Sequence, residues 1–321
     1  PDGTNVETVD ERNDYYHGID TPNVAFSFSP VGRAYILHQL EIKERRHDGT
    51  GPDVAASFIL YAEDGPIAPI PADTNHQFIL GHDDATVLRQ KPWFVCLSAY
   101  RAPIMKDRID ARWVQDRQNF ISIFHDGVGL IVGGGNTKLT PLWSTFTAGD
   151  TKLLSHHPGE TKPDYAEPKG LLHVPTKLKL DPQNLALLAT YGKAQCQAAV
   201  KLENATTAKI SYSLLNQSRL AVEAHVTLIA NIGGAWHTES GEHGKLGPEP
   251  IHLTALQAGG KFYHNGWSIT LPTDATLDWP VLPYDQYVKD GTAPLDQGRI
   301  VVTLPLGRAP AQKSVQVQVG E

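Results

Sequence analysis

Long apolar runs are absent from this chain of 321 residues. No stretch approaches the ~20 apolar residues of a membrane-spanning helix. An excess of positive charge is absent too, since the formal net charge is -7 at pH 7. Nucleic-acid binding needs a basic face that displaces counterions, so this balance argues against a nucleic-acid partner. An acidic polymer stays compatible with it, because a local arginine cluster can override the net sign.

Cysteine is scarce, and the chain holds only Cys96 and Cys196. Both lie in apolar, strand-like runs, where a buried free thiol is the commoner state. We therefore predict two packed thiols, with one disulfide as the alternative. A leading Met and a signal-like apolar core are also missing from the opening PDGTNVETVD. That opening is typical of a mature product or of a segment of a longer protein.

The common catalytic and nucleotide-binding signatures are missing as well. No zinc-finger, P-loop or nucleophile-elbow pattern occurs in the sequence. The run GVGLIVGGG is superficially like a dinucleotide fingerprint, but no helix follows it, so a phosphate cradle at a helix N-terminus cannot form. Strands alternating with amphipathic helices are absent, which argues against a parallel doubly wound sheet.

What the chain does contain is a series of short β-type segments. Residues 209–215 and 222–228 alternate apolar and polar side chains with period two, which is typical of antiparallel sandwiches. Residues 184–189 are the one candidate for a helical turn. The predicted strands are residues 23–29, 33–42, 54–62, 76–80, 86–89, 92–100, 120–124, 128–132, 171–180, 185–191, 195–203, 209–216, 219–229, 262–271, 299–304 and 314–319.

These segments predict an all-β fold, a large antiparallel β-sandwich of supersandwich type with few or no helices. The proline-containing stretch at residues 147–169 has no hydrophobic periodicity and is the best candidate boundary. We expect a sheet-rich half with a central hairpin at 1–165 and a second antiparallel half at 166–321. One continuous sandwich is the alternative.

The central hairpin is the most informative stretch. Its two apolar runs, 120–124 and 128–132, are separated by His125, Asp126 and Gly127, and Asp-Gly is a strong hairpin signal. Three glycines, 133–135, follow the second run. Consecutive glycines weaken a strand and suit a place where another backbone or a ligand comes close.

Several polar residues at loop ends have the types needed to abstract a proton beside a uronate carboxylate. That reaction needs one group to neutralise the carboxylate, one base and one proton donor. Arg and Asn suit the first role, and His and Tyr suit the others. The alternative for each residue is a capped or satisfied structural role, and His125 in particular suits a turn. The catalytic candidates are Tyr16, His17, Tyr100, Arg101, Arg117, Asn119 and His125.

Substrate-binding and metal candidates lie elsewhere. Asn136 and Lys138 follow the glycines, and Trp236 and Trp267 lie in Gly-rich turns, where an indole ring can stack on a sugar. A divalent metal, zinc or calcium, is a further hypothesis, since His76, His82 and Asp84 share strand parity and have metal-ligand chemistry. A polar loop is the simpler interpretation of those three residues.

The run DRQNFISIFHDGVGLIVGGGNTK, with WSTF after it, resembles the β-sheet region of bacterial heparinase II/III-like polysaccharide lyases. LLNQSRLAVEAHVTLI resembles the later strands of that region, and the resemblance covers about residues 90–230. In that family a helical toroid precedes an antiparallel β-sandwich, and the enzymes cleave uronate-containing polysaccharide by β-elimination. No toroid is present here, and the family's catalytic Tyr and His do not align with particular positions.

The resemblance implies the β-portion of a carbohydrate-active enzyme, a secreted or periplasmic lyase whose substrate is an acidic polysaccharide or oligosaccharide. It also implies an upstream helical domain in the same gene product. The alternative is a non-catalytic carbohydrate-binding or domain-supporting sandwich module. A structural β-protein without a glycan ligand is the third interpretation.

Overall fold

A computed structural model describes residues 74–80, 84–99, 121–133, 140–154, 167–284, 288 and 290–320 of the chain. These residues all lie within one compact unit, Thr74–Glu321. In them the regular structure is β-strand, apart from short 3₁₀ helices at Pro141–Trp143, Thr151–Leu153 and Leu295–Gln297. The prediction of an all-β fold is confirmed. The described residues contain no helix that is long and apolar enough to cross a membrane.

The strands of the described residues are numbered in chain order. They are β1 (His76–Leu80), β2 (Ala85–Gln90), β3 (Trp93–Ser98), β4 (Ile121–His125), β5 (Gly129–Val132), β6 (Phe146–Gly149), β7 (Leu171–Leu172), β8 (Lys177–Asp181), β9 (Ala186–Tyr191), β10 (Ala194–Asn204), β11 (Thr207–Leu214), β12 (Val222–Ile229), β13 (Ala235–Thr238), β14 (His243–Lys245), β15 (Ile251–Thr254), β16 (Lys261–His264), β17 (Trp267–Thr270), β18 (Thr276–Val281), β19 (Arg299–Gly307) and β20 (Ala311–Val319).

Two antiparallel sheets contain these strands. Within the described ranges the first sheet has eleven strands in the order β1-β2-β3-β4-β5-β12-β19-β18-β15, with β6 also paired to β12 and β7 paired to β6. The second has nine, in the order β14-β13-β16-β17-β20-β11-β10-β9-β8. The first sheet draws strands from both sides of residue 165. The boundary there stays a prediction, because residues 155–166 lie outside the described ranges.

Period-two alternation determines which side chains are buried. In β11 the residues Ala208, Ile210, Tyr212 and Leu214 are buried, and the residues between them are more exposed from Lys209 onward. Buried side chains of both sheets form one hydrophobic cluster. Each fully buried large apolar side chain contributes roughly 1.5–3 kcal/mol relative to exposure, so this cluster is the main source of stability. The alternation predicted at 209–215 is confirmed by β11. In β12 the apolar residues predicted at 222–228 are buried, but His225 and Thr227 between them are buried too.

The central hairpin is confirmed as β4 and β5. His125 pairs with Gly129 across the turn, and the Val128 amide donates to the His125 carbonyl at 3.2 Å. The predicted thiols are confirmed too, since both cysteines are free. Burial raises the pKa of Cys96 and raises that of Cys196 to about 12, so both are kept as thiols.

Three local predictions are wrong. The stretch 171–180 is not one strand, because β7 ends at Leu172 in the first sheet and β8 begins at Lys177 in the second. Residues 184–189 are not helical, because Leu185 has a φ of 44° and β9 begins at Ala186. The stretch 262–271 is a hairpin of β16 and β17 rather than one strand, since Asn265 and Gly266 have φ values of 48° and 79°. Asn-Gly is the preferred pair for such a two-residue turn. The strands predicted at 23–29, 33–42 and 54–62 lie outside the described residues.

Candidate functional site

The outer face of the second sheet is polar. Because β11 and β20 send Ile210 and Val317 into the core, the neighbouring Lys209 and Gln316 point to the opposite face. Both of these side chains are half-buried, and Lys201 on β10 is exposed. The face therefore presents ammonium and amide groups.

The strand register aligns three lysines across this face. Lys261 on β16 lies opposite Thr270 on β17, and the Thr270 hydroxyl accepts a hydrogen bond from the backbone amide of Gln316 on β20 at 2.8 Å. Gln316 lies opposite Lys209 on β11, which in turn lies opposite Lys201 on β10. We call Lys261, Lys209 and Lys201 the lysine row. It crosses four strand spacings, about 19 Å at the usual separation of strands.

The lysine row carries an electrostatic cost. Lys209 and Lys201 are directly opposite each other, and like charges in that position destabilise a sheet by roughly 0.2–1 kcal/mol. Two carboxylates moderate the field. Glu203 accepts a hydrogen bond at 3.2 Å from the side chain of Gln316, which lies midway along the row, and Glu239 lies near Lys261 at one end. An anion bound at Lys209 and Lys201 would offset their mutual repulsion.

An aromatic cluster lies at the Lys261 end of the row. Tyr263 and His237 are cross-strand neighbours whose rings stack with centroids 4.4 Å apart and planes 7° apart. The Tyr263 hydroxyl donates to Glu239, and the Lys261 ammonium lies 4.6 Å from the centre of the tyrosine ring. We call His237, Glu239, Lys261 and Tyr263 the Tyr263 cluster. The hydrogen bond to Glu239 raises the pKa of the Tyr263 phenol, which stays protonated and able to donate.

A second histidine with polar partners lies in the first sheet and is buried. His225 Nε2 is 3.0 Å from the Thr147 hydroxyl, and Nδ1 is 3.2 Å from the Thr303 hydroxyl. Burial lowers the pKa of His225 to about 3, so the ring is neutral near pH 7. Both ring nitrogens are engaged by threonine hydroxyls, which is the arrangement of a structural residue.

His125 also has a structural arrangement, which corrects its prediction as a catalytic residue. The Gly127 amide donates to Nδ1 at 3.0 Å, so Nε2 carries the proton and donates to the Ala205 carbonyl at 3.1 Å. The ring packs edge-on against Trp93 with centroids 4.6 Å apart. Both ring nitrogens of His125 therefore form hydrogen bonds within the protein, which agrees with the alternative interpretation of His125 as a structural turn residue.

The other catalytic candidates, with Asn136 and Lys138, lie outside the described residues. These are Tyr16, His17, Tyr100, Arg101, Arg117 and Asn119. Of the glycines after β5, only Gly133 is described, and a Cβ there would lie 2.9 Å from Ile229 Cδ1. The side chain of Ile229 on β12 makes a close approach at Gly133.

The two tryptophans proposed as sugar platforms differ. Trp267 is 3% exposed and belongs to the core cluster, so its prediction as a platform is wrong. Trp267 and Ile269 lie on the face of β17 that packs into the core, and the prediction from the Gly-rich turn did not take this strand alternation into account. Trp236 is half-buried, stacks on Phe262 with centroids 5.7 Å apart, and has Gly244 against its indole nitrogen. A ligand-binding role for Trp236 stays a prediction.

The metal hypothesis fails in the described residues. His76 lies opposite Arg89 at one end of the β1–β2 pair, and Asp84 precedes Ala85 at the other end. At the rise of an antiparallel strand these ends are about 13 Å apart, too far to share an ion. His82 lies outside the described residues. Among those described, no group of three or more His, Cys, Asp and Glu could hold a metal.

No family model matches the sequence, and no curated protein matches it. Solved structures match in fold only. Heparan sulfate lyase HepC from Pedobacter heparinus gives a TM-score of 0.42 at 12% identity, over 90% of this chain and 42% of that chain. A putative mutarotase (YeaD) from Salmonella typhimurium gives 0.35 at 10% identity, over 74% of this chain and 90% of that chain.

A further match is 4-alpha-glucanotransferase from Thermococcus litoralis, with a TM-score of 0.37 at 11% identity, over 77% of this chain and 40% of that chain. The likeness is loose. This chain spans about two fifths of the length of the lyase it matches. The similarity is one of β-sandwich fold and assigns no activity to this chain.

Sequence reasoning missed the residues of the lysine row and the Tyr263 cluster. The signal for part of the cluster was present in KFYHNGW, where Asn-Gly predicts a hairpin turn. Alternation around that turn places Phe262 and His264 on one face and Lys261 and Tyr263 on the other. The lysine row had no such local signal, since it depends on the register of five strands.

Proposed function

We propose that this chain is a carbohydrate-binding β-sandwich module that takes an acidic polysaccharide or oligosaccharide on the outer face of its second sheet. The observation that carries the proposal is the lysine row, in which Lys209 and Lys201 are directly opposite each other on neighbouring strands. An anionic polymer crossing the strands would meet ammonium groups along about 19 Å. The side-chain amide of Gln316, which has a second hydrogen besides the one donated to Glu203, would donate to its oxygens.

The test replaces the lysine row by alanine, as Lys201→Ala, Lys209→Ala and Lys261→Ala together. We expect retention of the chain on a uronate-containing polymer, measured by affinity electrophoresis, to fall at least tenfold. The matched control removes the same charge at exposed lysines away from the face, Lys152, Lys169 and Lys193. The control should bind like the unaltered chain, and equal loss in both variants would contradict the assignment.

A second candidate function is β-elimination at the Tyr263 cluster. The cluster brings together the three functions that the reaction needs: Lys261 to neutralise a uronate carboxylate, His237 as base and Tyr263 as proton donor. The protonated state favoured at Tyr263 suits a donor and does not suit a base.

Turnover separates the two functions. A lyase releases unsaturated product that absorbs in the near ultraviolet, so absorbance is followed after mixing the chain with a uronate polymer. If the cluster is catalytic, His237→Ala and Tyr263→Phe should each abolish turnover while binding is kept. Binding without any absorbance change would leave the binding module as the function.

We also propose that the chain belongs to a longer, secreted or periplasmic protein with a helical domain upstream. The support is the sequence resemblance, in which a helical toroid precedes the sandwich. The coding sequence upstream of Pro1 tests this directly, and an upstream region without helical periodicity would contradict it.

A further inference from the structure

One edge of β12 changes its partner part-way along the strand. Val222–Ala224 pair with β6, whereas Leu228 pairs with Val132 of β5. Between these pairings, the His225 amide donates to the Thr145 carbonyl at 3.0 Å and the Gly133 amide donates to the Thr227 carbonyl at 3.1 Å. The ladder thus passes from one neighbouring segment to another, and neither segment continues along the whole edge.

A small cavity lies at this change of partner. Its volume is about 10 Å³, which matches the space needed by one water molecule. Its lining combines the apolar side chains of Ile121 and Val132 with five side chains that carry polar atoms, Trp143, Thr145, Tyr212, His225 and Thr227. An apolar cavity of this size stays dry, whereas a polar one holds water when its lining offers hydrogen-bond partners.

The indole nitrogen of Trp143 lacks a partner in this lining. The residue is 3% exposed, and Nε1 is buried without a hydrogen bond in the structure. Two other buried tryptophans have partners, since Trp93 Nε1 donates to the Asn204 carbonyl at 2.8 Å and Trp279 Nε1 donates to the Gly247 carbonyl at 2.9 Å. Because buried N–H groups almost always have a hydrogen-bond partner, we infer that a further group in the cavity accepts a hydrogen bond from Trp143 Nε1.

Thr227 offers an acceptor in the same cavity. Its hydroxyl donates to the Gly133 carbonyl, which leaves the oxygen lone pairs able to accept. His225 is not available in this way, because both of its nitrogens already contact threonine hydroxyls.

We propose that the cavity holds one ordered water, which accepts from Trp143 Nε1 and donates to Thr227 Oγ1. This water links the 3₁₀ helix Pro141–Trp143 to β12 at the point where the strand exchanges partners. The cavity contains no residue of the lysine row or of the Tyr263 cluster, so the proposal is tested independently of the proposed glycan-binding face.

The indole N–H resonances of the unaltered chain test the proposal. Trp143 is expected to show a nuclear Overhauser cross-peak to a long-lived water, while Trp93 and Trp279, bonded to carbonyls, show none. No cross-peak at Trp143 would overturn the proposal.

A crystal structure of Trp143→Phe provides the second measurement. Phenylalanine keeps the ring that packs on Val281 and Val301 but removes the donor. The density for a water near Thr227 should be present in the unaltered protein and lost in the variant. An unchanged water in the variant would show that Trp143 does not hold it.

Discussion

Burial separates the histidines of this molecule into different roles. His225 and His125 are buried and bonded within the protein, while His237 is exposed and stacks on Tyr263. The sequence alone could not make this distinction, since a histidine beside a turn and a histidine on a strand look equally suited to chemistry. Only the positions of the partner atoms show that His125 uses both nitrogens.

His225 gives a prediction for the pH dependence of stability. Its pKa of about 3 in the folded state lies below the ordinary value of 6.5, so the unfolded state binds more protons between these values. The contribution to stability is complete above about pH 6.5 and is lost as the pH falls toward about 3, with a slope of at most about 1.4 kcal/mol per pH unit.

Denaturant unfolding of His225→Gln measures this effect. The difference in free energy of unfolding between the unaltered chain and the variant should shrink as the pH falls from 6.5 toward 3. A pH-independent difference for His225→Gln would contradict the buried, neutral assignment.

At the scale of single elements, alternation and turn chemistry predicted much of the fold. β11, β12 and the β4–β5 hairpin follow from period-two patterns and from Asp126–Gly127. The missed strands lack such patterns: β14 is only HGK, and β18 contains Pro280, a residue that is disfavoured inside strands. These strands form because neighbouring strands pair with them, which is information that a local pattern does not carry.

The contact between β6 and β7 gives a prediction at this scale. Gly149 has a φ of 112°, and a Cβ there would lie 1.9 Å from the Gly170 carbonyl oxygen. Gly149→Ala should therefore lower the free energy of unfolding by more than about 3 kcal/mol, through backbone strain and a clash that must move β7.

Gly241 is the matched control for that prediction. It has a φ of 95°, but no atom lies within 4 Å of the position that a Cβ would take, so Gly241→Ala carries the conformational cost alone, about 1–2 kcal/mol. Denaturant unfolding of both variants measures the difference. Equal destabilisation would show that the β6–β7 approach is not tight.

At the scale of the whole molecule, the proposed binding face exists only because the sheet is assembled. Lys201 and Lys209 come from the consecutive strands β10 and β11, whereas Lys261 comes from β16 and joins the row only through β17 and β20. Composition predicted an acidic chain without suggesting where its positive charge gathers. The net charge of -7 and a local row of lysines are compatible, because screening confines each field to about 10 Å at moderate salt.

The most direct test of the central claim is the dissociation constant of a uronate oligosaccharide, measured by titration calorimetry for three proteins side by side. These are the unaltered chain, the lysine-row triple variant and the triple control at Lys152, Lys169 and Lys193. The account predicts binding to the unaltered chain and the control, weakened by added salt, and at least tenfold weaker binding to the lysine-row variant. Equal affinity in all three proteins, or no binding to the unaltered chain, would contradict it.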